Sequence, residues 1–268
     1  YLTIKSNGIN ETENLINNFL IEKNSFIFES VEKGKIKGRY TIFGKNPDKI
    51  WEFNNNIGKV ISENKQKKLH GQPKKIIEKI IEQFNFPIPK ELPNISALIS
   101  GYFSYDIIRY IENIPNTCKD DLKIPDTRII RPRKLIIHDN LKKRIYFIYN
   151  CFKDEKIRNH REKYNNILSD LEFFNFLSSY KNHHNYKTKK NNLKVKSNIS
   201  KKEFLKNVNT AKRYIKAGDI FQVVLSQRFE TKLTKNPLEI YKKLRLTNPS
   251  PFMYFFNFHD FQIIGASP

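Results

Sequence analysis

Long apolar runs are missing from this sequence. Nothing approaches the ~18 uninterrupted apolar residues of a membrane-spanning helix, so a membrane protein of the helical kind is not expected. No basic-then-apolar leader is visible either, and the chain opens on Tyr1 in a strand-like YLTIK that reads as a cut start. Two cysteines, Cys118 and Cys151, cannot build a disulfide framework and suit a reducing cytoplasm. The nine glycines form no nucleotide-binding loop, and neither a nucleophile elbow nor a zinc-ligand set is present. Acidic residues are scarce, 27 against 49 basic ones, which leaves a net charge of +22. Such a charge raises the question of nucleic acid. The basic residues are scattered, however (Lys65, Lys67, Lys68, Lys74, Lys75, Lys142, Lys143, Arg144, Lys187 to Lys190, Lys201, Lys202), with no aromatic-interleaved stripe, so they read as solvated surface and no nucleic-acid partner is expected.

What is present is enough apolar residue, 38% of the chain with 13% aromatic, for a real core in one large or two ordinary domains. Leu15, Ile16, Phe19 and Leu20 mark a helix over 10–22. NSFIFESVEKGKIKGRYTIFG (24–44) reads as strand, turn at Gly34 and Gly38, strand. Pro73 opens a helix carrying Ile76, Ile77, Ile80, Ile81 and Phe84. Residues 95–115 read as an apolar strand running into a helix. RKLIIHDNLKKRIYFIYN (133–150) is a hairpin by pattern, turning at His138, Asp139 and Asn140, and a helix follows over about 154–177.

The texture then changes. Residues 178–198 are polar and basic with almost no apolar periodicity, a linker by composition. His183 and His184 inside it have no further ligands at metal spacing. Order resumes at Ser200, which with Glu203 has the spacing of a capping box, and Gly218 closes that helix. IFQVVLSQRFE (220–230) reads as a strand, Asn236-Pro237 opens another helix, and FQIIGASP is the return strand of a last hairpin, turning at Gly265. Helices and hairpins in this order indicate an α+β fold, antiparallel sheets covered by helices.

On the 220–230 strand, alternation puts Ile220, Gln222, Val224, Ser226 and Arg228 on one side and Phe221, Val223, Leu225, Gln227 and Phe229 on the other. The first side is either a hydrogen-bonding wall or a solvent face. Likewise Phe252 and Met253 are either core or the apolar lining of a site.

YIKAGDIFQVVLSQRF (214–229), LRLTNPSPFMYFFNF (244–258) and IIGASP (263–268) together resemble the large, chorismate-binding subunit of anthranilate synthase, component I. FIFESVEKGKIKGRYTIFG is similar to that family's Leu-Leu-Glu-Ser … Gly-Arg-Tyr-Ser segment, with Phe28 and Thr41 as departures. GYFSYDIIRYIENIP and DDLKIPDTRIIRPRKLIIHDN agree in order and spacing. The resemblance covers nearly the whole chain. It implies a two-domain chorismate-utilising fold, with an N-terminal domain over 1–177, the linker 178–198 and the opening of the chorismate-binding domain over 199–268, cut within that second domain.

The resemblance also implies an activity, the conversion of chorismate and ammonia to anthranilate and pyruvate on the way to tryptophan. Magnesium is required, a glutamine amidotransferase subunit (component II) supplies the ammonia, and L-tryptophan inhibits. Ser30, Pro251, Phe252 and Met253 match the inhibitor pocket, with Glu29, Arg39, Tyr40 and Asn248 as neighbours. Gln222 stands where water-adding relatives carry a Lys; an uncharged amide cannot act as general base for water, which fits a site that takes ammonia. In the family the Gly-Ala-Ser-Pro turn continues into a Glu resembling the general acid, and the magnesium ligands lie further on. The 268-residue chain alone is therefore expected to be inactive, with no metal ligands of its own. The rival readings are component I of aminodeoxychorismate synthase, on the folate pathway, and a non-catalytic tryptophan-binding regulatory module.

Overall fold

The computed structural model describes all residues except 8–9, 33–34, 37, 64, 154–158 and 180–193. In chain order the elements are β1 (Leu2–Lys5), α1 (Asn10–Phe19), β2 (Ser25–Glu29), β3 (Val31–Glu32), β4 (Lys35–Ile36), β5 (Tyr40–Asn54), β6 (Ile57–Ser62), β7 (Lys65–Leu69), α2 (Pro73–Gln83), β8 (Ser100–Phe103), a 3-10 turn (Tyr105–Tyr110), β9 (Thr127–Asp139) and β10 (Arg144–Tyr149). They continue with α3 (His160–Ser179), β11 (Lys196–Ser197), α4 (Lys201–Ala217), β12 (Phe229–Glu230), α5 (Pro237–Thr247), β13 (Phe252–Asn257) and β14 (Gln262–Ser267). No helix among the described residues is long and apolar enough to cross a membrane.

Ten strands form one antiparallel sheet, ordered β1-β10-β9-β5-β2-β13-β14, with β6 and β7 continuing from β5 and β8 beside β9. The long β5 serves as the hinge of this arrangement. Its register shifts between Pro47 and Lys49, so its first half pairs with β2 and its second half with β6, while β9 runs along the whole length. Such an irregularity bends a strand and lets one chain segment serve two partners.

Strand alternation divides the core between the faces. On one face Ile27, Phe43, Ile136, Phe147, Met253 and Phe255 pack with Leu15, Ile16 and Phe19 of α1 and Leu20 just after it, Ile167 and Phe174 of α3, and Leu238 and Tyr241 of α5. On the other, Phe26, Ile130, Ile137, Tyr146, Ile148, Phe256 and Phe258 pack with Leu92 and its neighbours. A third cluster, Trp51, Phe53, Ile77 and Ile129, seats α2 on the far half of β5. Lys45 reaches from β5 over the Phe19 ring to Glu22 at 2.6 Å and Asp170 of α3 at 3.6 Å, joining the segment after α1 to α3 by charge.

The compact unit built on this sheet comprises Tyr1–Lys181 and Pro237–Pro268. Compactness therefore groups the chain differently from the expected domains 1–177 and 199–268, since β13 pairs directly with β2 and carries its hairpin into the first unit. The second unit, Asn182–Asn236, contains α4 and the short β11–β12 pair. Ser200 caps α4 by accepting the Glu203 N–H at 3.2 Å, and Gly218 ends it at φ 81°.

Three local expectations are corrected. The 220–230 segment is not a strand except at Phe229–Glu230, because pairing partners make a strand and the described residues offer only Lys196–Ser197. Gln227 and Arg228 are held instead by Ser197 and Asn198 side chains, and Phe221 is 99% exposed rather than core. The β9–β10 turn occupies Asn140–Lys143; His138 and Asp139 still belong to the strand. Gly265 does not turn the chain. It lies inside β14 opposite Tyr254, whose ring crosses the place where a Cβ would stand. The expected linker falls largely on 180–193, with His183 and His184, outside the described residues, as does Gly34.

Candidate effector site

β2 ends at Glu29, and Met253 of β13 is its register partner. The pairing continues past the strand end, where the Val31 N–H donates to the Ser250 carbonyl at 2.9 Å. The Glu29-Ser30-Val31 segment and the Asn248–Met253 segment therefore lie side by side as two walls. Glycine at position 38 lets a third backbone stretch approach, since a Cβ there would stand 2.5 Å from the Ser30 Cβ.

The side chains on these walls divide sharply by exposure. Met253 is 1% exposed and belongs to the core, whereas Phe252 is 65% exposed. Pro251 and Asn248 are exposed and Ser30 is half-buried. The Ser250 hydroxyl donates to the Ser267 carbonyl and accepts from the Phe252 N–H at 3.3 Å, which fixes the turn between the prolines and the strand. Arg39 is exposed, pairs with the buried carboxylate of Asp139 at 3.2 Å and lies 4.7 Å over the Tyr40 ring. Its hydrogen bond to Asp139 raises its pKa, while burial raises that of the Tyr40 phenol.

Glu29 is the most enclosed charge at the site. Its side chain is wholly buried and accepts hydrogen bonds from the Tyr241 hydroxyl and from Arg245 Nε at 2.8 and 3.0 Å. Burial, then the Glu29 charge and hydrogen bond, push the Tyr241 phenol well above its ordinary pKa. The sequence reading missed Tyr241 and Arg245. Their signal was available: they stand four apart on α5, on one helical face, immediately before the Asn-Pro-Ser-Pro run.

The structure thus brings Glu29, Ser30, Asn248, Pro251, Phe252 and Met253 together, with Arg39 and Tyr40 following Gly38 at its edge. Gln222 belongs to the second unit, exposed in a segment without regular structure. A separate cleft of about 930 Å³, lined by Asp48, Glu52, Arg128 and Asp260 among others, contains none of the expected site residues. Its main charges are paired within the fold, Arg131 with Asp48 and Arg128 with Glu52 and Asp260. Among the described residues no group of three or more His, Cys, Asp or Glu is placed to hold a metal ion.

The family of chorismate-binding enzymes matches residues 25–268, and the chain belongs to it. Within that family it is similar to anthranilate synthase component 1 of Acetivibrio thermocellus, 38% identical over 91% of this chain and 50% of the relative. It is also 33% identical to the chloroplastic anthranilate synthase alpha subunit 1 of Oryza sativa subsp. indica, over 92% of this chain and 46% of that one. The crystal structure of anthranilate synthase component I from Streptococcus pneumoniae superposes with a TM-score of 0.71 at 29% identity, over 89% of this chain and 52% of that one. The chain spans about half the length of the curated relatives it matches.

Proposed function

We propose that this chain serves anthranilate synthase as part of its component I. Chorismate is attacked by ammonia, the ring hydroxyl departs, and pyruvate is eliminated to leave anthranilate for tryptophan biosynthesis. A glutamine amidotransferase subunit delivers the ammonia, and the setting is cytoplasmic. The observation that carries this reading is the agreement over 91% of the chain with a protein of that name. The amide of Gln222 supports ammonia over water as nucleophile, since it cannot take a proton from water.

L-tryptophan is the proposed effector of the site between Glu29-Ser30 and Asn248–Met253. An indole suits exposed Pro251 and Phe252 faces with Met253 behind them, and its amino-acid end suits the half-buried Ser30 hydroxyl. Magnesium belongs to the reaction as a whole. Among the described residues no group of three or more His, Cys, Asp or Glu is placed to hold it.

The test is a chimera in which the remaining half of the Acetivibrio thermocellus relative follows Pro268. Given chorismate, ammonium and magnesium, it forms fluorescent anthranilate, and L-tryptophan suppresses the signal. Amination to 4-amino-4-deoxychorismate without anthranilate would transfer the reading to the folate-pathway enzyme. A folded chimera that makes neither product would overturn it.

A further inference from the structure

We infer that Tyr241 and Arg245 are positioning residues of the effector site, locking its two walls together through the buried carboxylate of Glu29. The ligand named here rests on the function proposed above; the lock itself rests on geometry. A carboxylate with no exposed surface must be compensated inside the fold. Both donors to Glu29 come from α5, four residues apart and so on one face of the helix. α5 ends at Thr247, and the next residue, Asn248, begins the 248–253 wall. On the opposite side Glu29 is the last residue of β2, and Ser30 and Val31 follow as the other wall. The Tyr241–Glu29–Arg245 cluster therefore stands where both walls originate. Beyond it, among the described residues, one backbone hydrogen bond outside the regular strands joins the walls, from the Val31 N–H to the Ser250 carbonyl.

The same geometry gives Glu29 a structural role. With Tyr241 and Arg245 on its oxygens and its side chain fully enclosed, it organises the site from behind and does not meet a ligand's ammonium group. Recognition of that group falls to Ser30 and the wall backbones.

The test uses the 268-residue chain with Tyr241→Phe, Arg245→Gln and Arg245→Lys, read by amide exchange at Val31 and by calorimetric titration with L-tryptophan. Tyr241→Phe and Arg245→Gln should speed Val31 exchange at least tenfold while the amides of central β9 keep the parent's protection. The tryptophan dissociation constant should rise five- to tenfold in both, and Arg245→Lys should recover most of each effect. Val31 exchange and affinity within twofold of the parent in both variants would overturn the lock. So would Glu29→Gln abolishing tryptophan binding with Val31 protection unchanged, since Glu29 would then touch the ligand. A parent that binds no tryptophan, with Val31 exchange still responding to Tyr241→Phe, supports the lock and removes only the ligand.

Discussion

Arg128 holds Asp260 with both terminal guanidinium nitrogens, at 2.5 and 2.9 Å, and so fastens the turn of the β13–β14 hairpin to the start of β9. The same guanidinium reaches Glu52 at 2.9 Å and lies over the rings of Phe258 and Phe261. Arg128 and Glu52 are buried, whereas the Asp260 side chain is 52% exposed. Removing the shared cation leaves the buried Glu52 carboxylate, among the described residues, to Lys59 alone. Arg128→Met is expected to destabilise the fold by about 3 kcal/mol, the scale of a broken buried ion pair. Asp260→Asn should cost less than about 1 kcal/mol, because its charge is largely in water. Urea unfolding midpoints check the order, and equal losses would refute it.

Met253 and Phe252 are neighbours in sequence with opposite duties. Met253→Ala empties a site that is 1% exposed and should cost about 2–5 kcal/mol. Phe252→Ala should leave thermal stability within about 0.5 kcal/mol, since the ring lies mostly in solvent. If that ring covers an indole, the same variant loses up to about tenfold in L-tryptophan affinity, the worth of one aromatic contact. Unchanged affinity in Phe252→Ala would remove the residue from the site.

His138 gives a pH dependence whose sign follows from its surroundings. It is 4% exposed, with Thr12 Oγ1 3.1 Å from Nδ1. Burial lowers its pKa below the ordinary 6.5, and the charges of Glu11 and Asp139 offset this only in part. The unfolded chain then binds a proton more readily than the folded one, so stability rises with pH across this window. It should be complete above about pH 6.5 and decline as pH falls through the depressed folded value. Asp260, lowered mainly by its hydrogen bond to Arg128, acts in a separate window, losing its contribution below the ordinary 3.8. Urea midpoints between pH 5 and 7.5 should slope in the parent and flatten in His138→Asn; an identical slope in both would place the titration elsewhere.

Two glycines differ in what crowds them. At Gly265 a Cβ would meet the Tyr254 ring at 2.1 Å, and a side chain can swing aside. At Gly101 it would meet the Arg128 carbonyl oxygen at 2.1 Å, and that backbone is fixed by the β8–β9 pairing. Gly265→Ala should cost about 1–3 kcal/mol as ordinary overpacking, and Gly101→Ala more. Melting temperatures in the reverse order would show that the hairpin is the stiffer element.

Local pattern made the helices readable. The apolar stripes of α1 and α2, the Ser200 cap and the Gly218 stop need nothing beyond their own neighbours in sequence. The resemblance carried the two walls of the site, whose pairing no periodicity reveals. What escaped depended on distant partners. FQVVLSQ alternates like a strand, but alternation supplies no hydrogen-bonding neighbour. Gly265 looked like a turn because the tyrosine that requires a glycine there lies on the adjacent strand. Glu29 reads in sequence only as a neighbour of the pocket, because the Arg245 cation it pairs with is 216 residues away.

That separation also shapes how the molecule is made. β2 leaves the ribosome well before β13, the strand that covers its outer edge, since Glu29 pairs with Met253. At ordinary synthesis rates of about 5–20 residues per second, the edge waits on the order of ten seconds or longer. Meanwhile Ser-Phe-Ile-Phe-Glu presents bare backbone donors and acceptors beside aromatic side chains, the kind of edge that recruits foreign strands. Closing so large a loop also makes this contact slow relative to the β9–β10 hairpin. The vulnerable interval of this chain is therefore its own translation, and a chaperone that shields β2 would act before the walls of the site exist.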